Sequence, residues 1–218
     1  MNIFHPSKSL LRRSASIALV LTVCSVGLRS KVKAEDIPTG MTTKRVTPPA
    51  EQYRLRMYHT HTGESIDVVY KVGAEFVPSA LDKLNHFLRD HRTEDVSEYD
   101  PKEFDLLHRI LVKLHKPNAV IHIICGYRTP ESNEFLRTRA AETGVAEHSQ
   151  HMLAKAIDIQ IPGVSTRRLR DAALSQEMGG VGYYPRSQFV HVDVGPIRQW
   201  SYGVIARAPR RHRRTRRG

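Results

Sequence analysis

The chain has 218 residues, enough for one domain of ordinary size with a tail at each end. Its formal net charge is +12, but six basic residues lie in residues 1–34 and seven arginines lie in residues 207–218, so the remainder of the chain carries a charge of −1. A folded part that is close to neutral, together with the export signal described next, argues against nucleic acid as a specific partner.

Residues 1–34 have the pattern of an export signal. Basic residues precede an apolar run from about Ala15 to Leu28, and Val32-Lys-Ala34 offers small residues to a signal peptidase. The run is short for a membrane span, which needs about 20 residues, although an uncleaved anchor is the alternative. We therefore expect an exported protein of the periplasm or cell envelope. The Arg12-Arg13 pair suggests the twin-arginine route, but the Ser-Ala-Ser after it is a poor match, so the route stays open.

After a linker over residues 35–52, which lacks apolar periodicity, the folded domain is expected from Tyr53 to Gly203. Two alternating stretches, 53–58 and 65–70, flank a turn and predict a β-hairpin. Apolar residues at helical spacing predict a helix from Pro78 to about His91. A second helix is predicted from Asp100-Pro101-Lys-Glu103, in which the aspartate caps the start and the glutamate reciprocates.

The run Ala119–Cys125 is almost continuously β-branched and predicts a central strand. Its end delivers Tyr127 and Arg128 into a turn, and Thr129-Pro130 then begins a helix that runs to about residue 142. Side chains at such a strand-to-helix junction commonly point into a site. Removal of the signal leaves Cys125 as a single cysteine, so no internal disulfide is expected.

Two further strands carry groups that can bind metal. In the first, from about residue 155 to 161, Asp158 lies on the face opposite three isoleucines; it follows His151 by seven residues. In the second, from 189 to 194, His191 and Asp193 share the face opposite three valines. Two imidazoles and a carboxylate, with water in the fourth position, are what a catalytic Zn²⁺ needs. An amphipathic helix from Ser165 to about residue 178 lies between these strands.

The pattern Ser149-x-His151-x6-Asp158 followed by His191-x-Asp193 resembles the zinc peptidases of the M15 superfamily, in the branch once called domain of unknown function 882. The likeness extends from about residue 53 to 200 and includes Gly126-Tyr-Arg128-Thr-Pro and Gly179-Gly-Val-Gly-Tyr-Tyr184. It implies an α+β fold, expected here as a small antiparallel sheet with flanking helices. It also implies a murein endopeptidase that hydrolyses the peptide cross-links of peptidoglycan with Zn²⁺.

The resemblance also implies the ligands and the substrate contacts. His151, Asp158 and His191 would hold Zn²⁺, Arg128 would bind a substrate oxygen, and Tyr127 and Ser149 would contribute to substrate binding. Asp193 is the expected general base, with a partner that orients a ligand histidine as the alternative role, and His148 is a further candidate for the base. Many M15 enzymes carry a glutamate three residues before the second histidine, where this chain has Gln188.

Two other departures from the family pattern are Ala154, where relatives often have glycine, and Cys125, where serine is common. The Arg-rich segment 204–218 is expected to be a disordered tail that either is passive or contacts an anionic wall polymer or membrane surface. Two alternative functions stay open: a D,D- or L,D-carboxypeptidase acting on stem peptides, and a non-catalytic zinc-containing module that binds the wall.

Overall fold

A mixed sheet of eight strands runs through residues 49–139 and 144–203, the parts of the chain that the computed structural model describes. Four helices and one short 3-10 helix, Gln150–Leu153, accompany it. The strands are β1 (Gln52–His59), β2 (Ser65–Val72), β3 (Glu75–Phe76), β4 (Val120–Cys125), β5 (Ala156–Gln160), β6 (Gly180–Tyr184), β7 (Phe189–Asp193) and β8 (Arg198–Ser201). The helices are α1 (Pro78–Phe87), α2 (Lys102–Lys113), α3 (Pro130–Thr138) and α4 (Thr166–Leu174).

The α+β class is confirmed, and so is the hairpin of β1 and β2. The sheet is larger than the small antiparallel sheet expected, and its strand order is β3-β2-β1-β4-β5-β7-β6-β8. Two pairings, β1 with β4 and β6 with β8, are parallel. The first is possible because α1 and α2 together form the long crossover that parallel strands require. The strand β8 was not predicted, since its four residues lack apolar alternation.

The hydrophobic core lies on one face of the sheet, between the central strands and the helices. Alternate residues of these strands point into it, and so do the apolar stripes of α1, α2 and α4. Each buried aliphatic side chain of this kind stabilises the fold by about 1.5–3 kcal/mol. The strand residues that form this layer are Leu55, Met57, Ile121, Ile123, Ile157, Ile159, Val190 and Val192, all at most 1% exposed.

The start of α2 differs from the expected capping box. The N-cap position is occupied by Pro101, and Asp100, one residue before it, accepts a hydrogen bond at Oδ1 from the amide of Lys102 at 3.0 Å. The Glu103 carboxylate does not reciprocate: it is fully buried, and neither oxygen has a hydrogen-bond partner within residues 49–139 and 144–203. Burial, with the Asp193 carboxylate adding to it, raises the pKa of Glu103 well above the ordinary value.

The expectations for the export signal, for most of the linker and for the basic tail concern residues outside the described ranges. Within those ranges, none of the helices has the length and apolar character needed to cross a membrane.

Candidate metal centre and active-site cavity

The three expected metal ligands lie together. Asp158 on β5 and His191 on β7 are directly paired across the two antiparallel strands, and the 3-10 helix brings His151 over them. Nδ1 of His191 lies 2.9 Å from Oδ1 of Asp158 and 3.1 Å from Nε2 of His151. The third side of the triangle, from Nε2 of His151 to Oδ1 of Asp158, is 3.3 Å. All three residues are at least 93% buried, with exposures of 2, 7 and 6%.

The outer nitrogen of each histidine has a partner that fixes the tautomer. Nδ1 of His151 lies 2.8 Å from the carbonyl oxygen of Gly126, and Nε2 of His191 lies 3.0 Å from Oδ2 of Asp193. Each of these nitrogens therefore carries the proton in the neutral ring, and the inner nitrogen presents a lone pair. In these tautomers, lone pairs of two ring nitrogens and of one carboxylate oxygen face one another, which is the arrangement that metal ligation requires.

This arrangement fits a tetrahedral metal ion. Zinc bonds of about 2.0 to 2.1 Å place neighbouring ligand atoms about 3.3 Å apart, close to the 2.9–3.3 Å of this triangle. The electrostatics also call for a positive charge. Burial opposes a charged imidazolium, yet the Asp158 carboxylate outweighs it and raises the pKa of His151 to about 10. Burial would likewise raise the pKa of Asp158, but the two histidines hold it well below the ordinary range.

Asp193 has no free lone pair with which to act as a base. Its carboxylate, which is fully buried, accepts hydrogen bonds from the amides of Gly180 at 3.0 Å and Gly195 at 2.8 Å. It also accepts two from Arg198, at 3.1 and 2.8 Å, besides the one from His191. Burial would raise its pKa, but these hydrogen bonds prevail and lower it to about 2. The expectation that Asp193 is the general base is therefore disfavoured, because a saturated and weakly basic carboxylate accepts a proton poorly.

The metal ligands form part of the wall of a cavity of about 520 Å³. One side is made by Arg128 and by the loop that runs from Gly144 to the 3-10 helix. The opposite side is aromatic, and its members contact each other: Trp200 Nε1 donates to the Tyr184 hydroxyl at 2.9 Å, and Tyr184 stacks on Phe189. Trp200 and Tyr202, whose place the sequence left open, both line this cavity. The site is thus a cleft with ligands for a metal at its base.

The sequence of the chain is similar to those of known peptidases. The family model for Peptidoglycan L,D-endopeptidase MepK, an M15 peptidase model, matches residues 47–200, more than two-thirds of the chain. The chain belongs to this family. The Escherichia coli K12 protein named Peptidoglycan L,D-endopeptidase MepK is 44% identical over 148 residues, which are 67% of this chain and 79% of that protein. The Haemophilus influenzae protein named Probable peptidoglycan L,D-endopeptidase MepK is 40% identical over 146 residues, 67% of this chain and 77% of that protein. No solved structure matches the chain.

Membership in the MepK family confirms the M15 resemblance, and the protein is a peptidase. Peptidases of the M15 family are metalloenzymes, and the cluster of lone pairs supplies the ligands that such an enzyme needs. Cys125, which stands where relatives often have serine, lies next to these candidate ligands. Ligand atoms of Cys125, His151 and Asp158 lie within 4.8 Å of one another. The distances among His151, Asp158 and His191 are shorter, 2.9–3.3 Å, and they favour His191 over Cys125 as a third ligand.

The substrate-binding residues expected in this MepK family member differ in their placement. Arg128 lines the cavity at 6% exposure; its Nη1 donates to Oδ1 of Asn133 at 3.0 Å and its Nη2 to Sγ of Cys125 at 3.4 Å. Ser149 also lines the cavity, and its Oγ accepts from the amide of His151. Tyr127 does not: it packs, partly buried, against the hydrophobic core, and its amide donates to Leu88. A role for Tyr127 in the cavity is therefore not supported by its position.

The residues discussed as general base also separate in space. Gln188, at the position of the usual M15 glutamate, is exposed in the turn before β7, with φ of 59°, and lies outside the cavity. His148 is exposed and lines the cavity beside the metal ligands. Of the candidates weighed from the sequence, Asp193, Gln188 and His148, only His148 lines the cavity.

The glycines of the segment 179–184 allow close packing and not an approach to substrate. A Cβ on Gly180 would lie 2.4 Å from Oδ2 of Asp193, and one on Gly182 would lie 2.6 Å from the ring of Trp200. Real Cβ atoms do not approach other atoms so closely. Glycine at these positions lets β6 lie against Asp193 and the aromatic wall.

Proposed function

We propose that this peptidase is a zinc-dependent murein endopeptidase that hydrolyses peptide cross-links of peptidoglycan during wall growth or remodelling. The observation that carries the proposal is the convergence of three lone pairs from His151, Asp158 and His191 in the wall of a cleft. The names of the relatives in the MepK family support the substrate class and suggest that the bond is an L,D cross-link.

His151, Asp158 and His191 would hold the zinc ion. When bound at such a site, Zn²⁺ acts as a Lewis acid that polarises the scissile carbonyl and activates water. The Gly126 carbonyl and the Asp193 carboxylate keep the two imidazoles in the tautomers and orientations that ligation requires.

Arg128 would bind the oxygen on which negative charge develops. Its guanidinium stays charged at every relevant pH, and it projects from a turn that two hydrogen bonds hold in place, one from Arg128 Nη1 to Asn133 and one from the amide of Arg128 to His151 O at 3.2 Å. Together with Arg198, it makes the cavity attractive to substrates that carry carboxylates, such as stem peptides with diaminopimelate.

His148 would move the proton from the attacking water to the leaving amine. Histidine is the side chain that most often accepts a proton from a reacting group and gives it back. His148 lies three residues before the proposed ligand His151, on a loop that lines the same cavity as Arg128. Its exposure leaves the ring free to turn toward a substrate.

In the proposed organisation, residues 53–203 are the catalytic domain, preceded by the export signal 1–34 and the linker 35–52. Action on peptidoglycan places the protein in the periplasm or cell envelope. The basic tail 204–218 would add attraction to an anionic wall polymer or membrane surface. For export we favour the general signal-peptide route over the twin-arginine route.

The test is turnover of purified cross-linked muropeptides, with products identified by mass, with added zinc and after chelation. We expect dimers to become monomers only when metal is present, and the product masses to identify an L,D bond. Release of single terminal residues from monomers would instead identify a carboxypeptidase. A protein that holds about one zinc and leaves both substrates intact would be a wall-binding module.

A further inference from the structure

The side chain of Asn133, on α3, connects two parts of the lining of the active-site cavity, Arg128 and the loop 144–149. Its Oδ1 accepts the hydrogen bond from Nη1 of Arg128 at 3.0 Å. Its Nδ2 donates to the carbonyl oxygens of Ala146 at 3.1 Å and Glu147 at 3.3 Å. The residue is 3% exposed, so water does not compete for these contacts. One amide therefore ties Arg128 to the loop 144–149.

The chemistry of the three partners fixes how this amide points. A guanidinium can only donate and a backbone carbonyl can only accept, so the oxygen of Asn133 must face Arg128 and the nitrogen must face the loop. All three functions of the amide, one acceptor and two donors, are used. Aspartate has the same shape but no donor, and alanine has neither function. Asparagine is thus specifically suited to this position.

The helix that carries Asn133 is itself held firmly at its start. The side chain of Thr129 accepts from the amide of Ser132 at 3.1 Å, which caps the helix. The amide of Thr129 donates to the Asp90 carboxylate at 2.8 Å; Asp90 is 1% exposed. Because Asp90 belongs to the connection between α1 and α2, the Asn133 side chain projects from a fixed point on the scaffold.

We propose that Asn133 is a positioning residue for catalysis: it sets the orientation of the Arg128 guanidinium and keeps the loop with His148 and Ser149 at a fixed distance from Arg128. This inference rests on the proposed function for its catalytic consequence. Its structural part, the clamp between Arg128 and the loop, is independent of the reaction. Misplacement by about 1 Å of groups that contact a substrate can cost about a hundredfold in rate.

The experiment compares three variants of the full chain: Asn133→Ala, Asn133→Asp and, as a matched control, Asn118→Asp at an exposed position of the segment between α2 and β4. We expect Asn133→Ala to lower kcat/KM on cross-linked muropeptides by about tenfold or more. Asn133→Asp keeps an acceptor for Arg128 but places a carboxylate against two carbonyls, so the loop is released while Arg128 stays anchored. In that variant, hydrogen exchange of the amides in 144–149 should become faster, and in Asn118→Asp it should not change.

A double-mutant cycle with Arg128→Ala separates positioning from a general loss of structure. If Asn133 acts through Arg128, adding Asn133→Ala to Arg128→Ala should lower kcat/KM by less than about twofold further. Fully additive losses would overturn the action through Arg128, and a kcat/KM in Asn133→Ala equal to that of the wild type would overturn the whole catalytic part.

Unchanged exchange of the loop amides in Asn133→Asp would overturn the clamp, whatever the activity. Should the wild type cleave no muropeptide, the proposed function fails, and the exchange measurement still decides whether the clamp exists. Thermal unfolding of each variant identifies one that does not fold. If Asn133→Ala does not fold, the activity of Asn133→Asp, which conserves the shape of the side chain, is used in its place.

Discussion

Nε2 of His191 lies 3.0 Å from Oδ2 of Asp193, two residues further along the same strand. The carboxylate that the sequence suggested as a base is therefore in contact with the outer nitrogen of a metal ligand. The five hydrogen bonds that it accepts hold it in place, and the imidazole takes its orientation from it.

Asp193→Asn should weaken zinc binding without abolishing it. The substitution removes the charge that stabilises the ligand tautomer of His191, and such changes typically cost about 10- to 100-fold in metal affinity or activity. Zinc affinity is measured by competition with a chelating dye, with His191→Ala expected to bind no zinc and the exposed Asp82→Asn expected to behave as the wild type. An inactive Asp193→Asn with wild-type zinc affinity would restore Asp193 as the base.

His148→Asn should lower kcat by about 10²- to 10⁴-fold, because the proton carrier is removed while the ligands stay. KM and zinc content should change little. Steady-state kinetics with metal analysis tests this, and His115→Asn, an exposed histidine after α2, is the matched control. A His148→Asn enzyme with normal kcat would assign proton transfer to another group.

Glu103→Gln should stabilise the protein at pH 7. Burial raises the pKa of Glu103 in the folded state, so folding binds a proton that the unfolded chain releases above its ordinary value of 4.5. Its contribution is thus fully present below pH 4.5 and is lost as pH rises, by about 1.4 kcal/mol per pH unit while the folded state stays protonated. Urea unfolding at pH 4 and 7 should show a gain in the variant at pH 7 only. Equal gains at both values would attribute the effect to packing.

Gln188→Gly should raise the free energy of unfolding by up to about 1 kcal/mol. Gln188 is exposed with φ of 59°, a left-handed conformation that costs a residue with a Cβ about 1–2 kcal/mol, part of which the greater freedom of glycine in the unfolded chain offsets. Gln188→Ala keeps the Cβ and should bring no gain in chemical denaturation. Activity should be unchanged in both variants, and a loss of activity in Gln188→Gly would implicate the turn in catalysis.

The parts of the structure that depend on local pattern were predictable. Alternation located β1, β2, β5 and β7, and a β-branched run located β4. Apolar spacing located α1 and α4, and the capping patterns located the starts of α2 and α3, to within a few residues. The motif order brought out His151, Asp158 and His191, because a short loop and two alternating strands determine where these side chains lie.

The parts that depend on distant contacts were not predictable. Nothing near Glu103 in sequence indicates that its carboxylate is buried without a partner, and nothing near Asp193 indicates that Arg198 and two glycine amides saturate it. Asn133 gives no signal of its own, since its partners come from two separate parts of the chain, Arg128 and the adjacent residues Ala146 and Glu147. A periodic pattern identifies an element, whereas saturation of a polar group depends on the packing of several elements.

The direct pairing of Asp158 with His191 across β5 and β7 has a consequence for metal exchange. Two of the three proposed ligands are kept as neighbours by the hydrogen-bond ladder of the sheet interior, which opens only when the domain unfolds. The third, His151, is on a single 3-10 turn whose last residue, Ala154, has the left-handed φ of 48°. Release and capture of the ion should therefore proceed through this turn. Asp158 and His191 would stay in place on the strand pair and could bind the metal again.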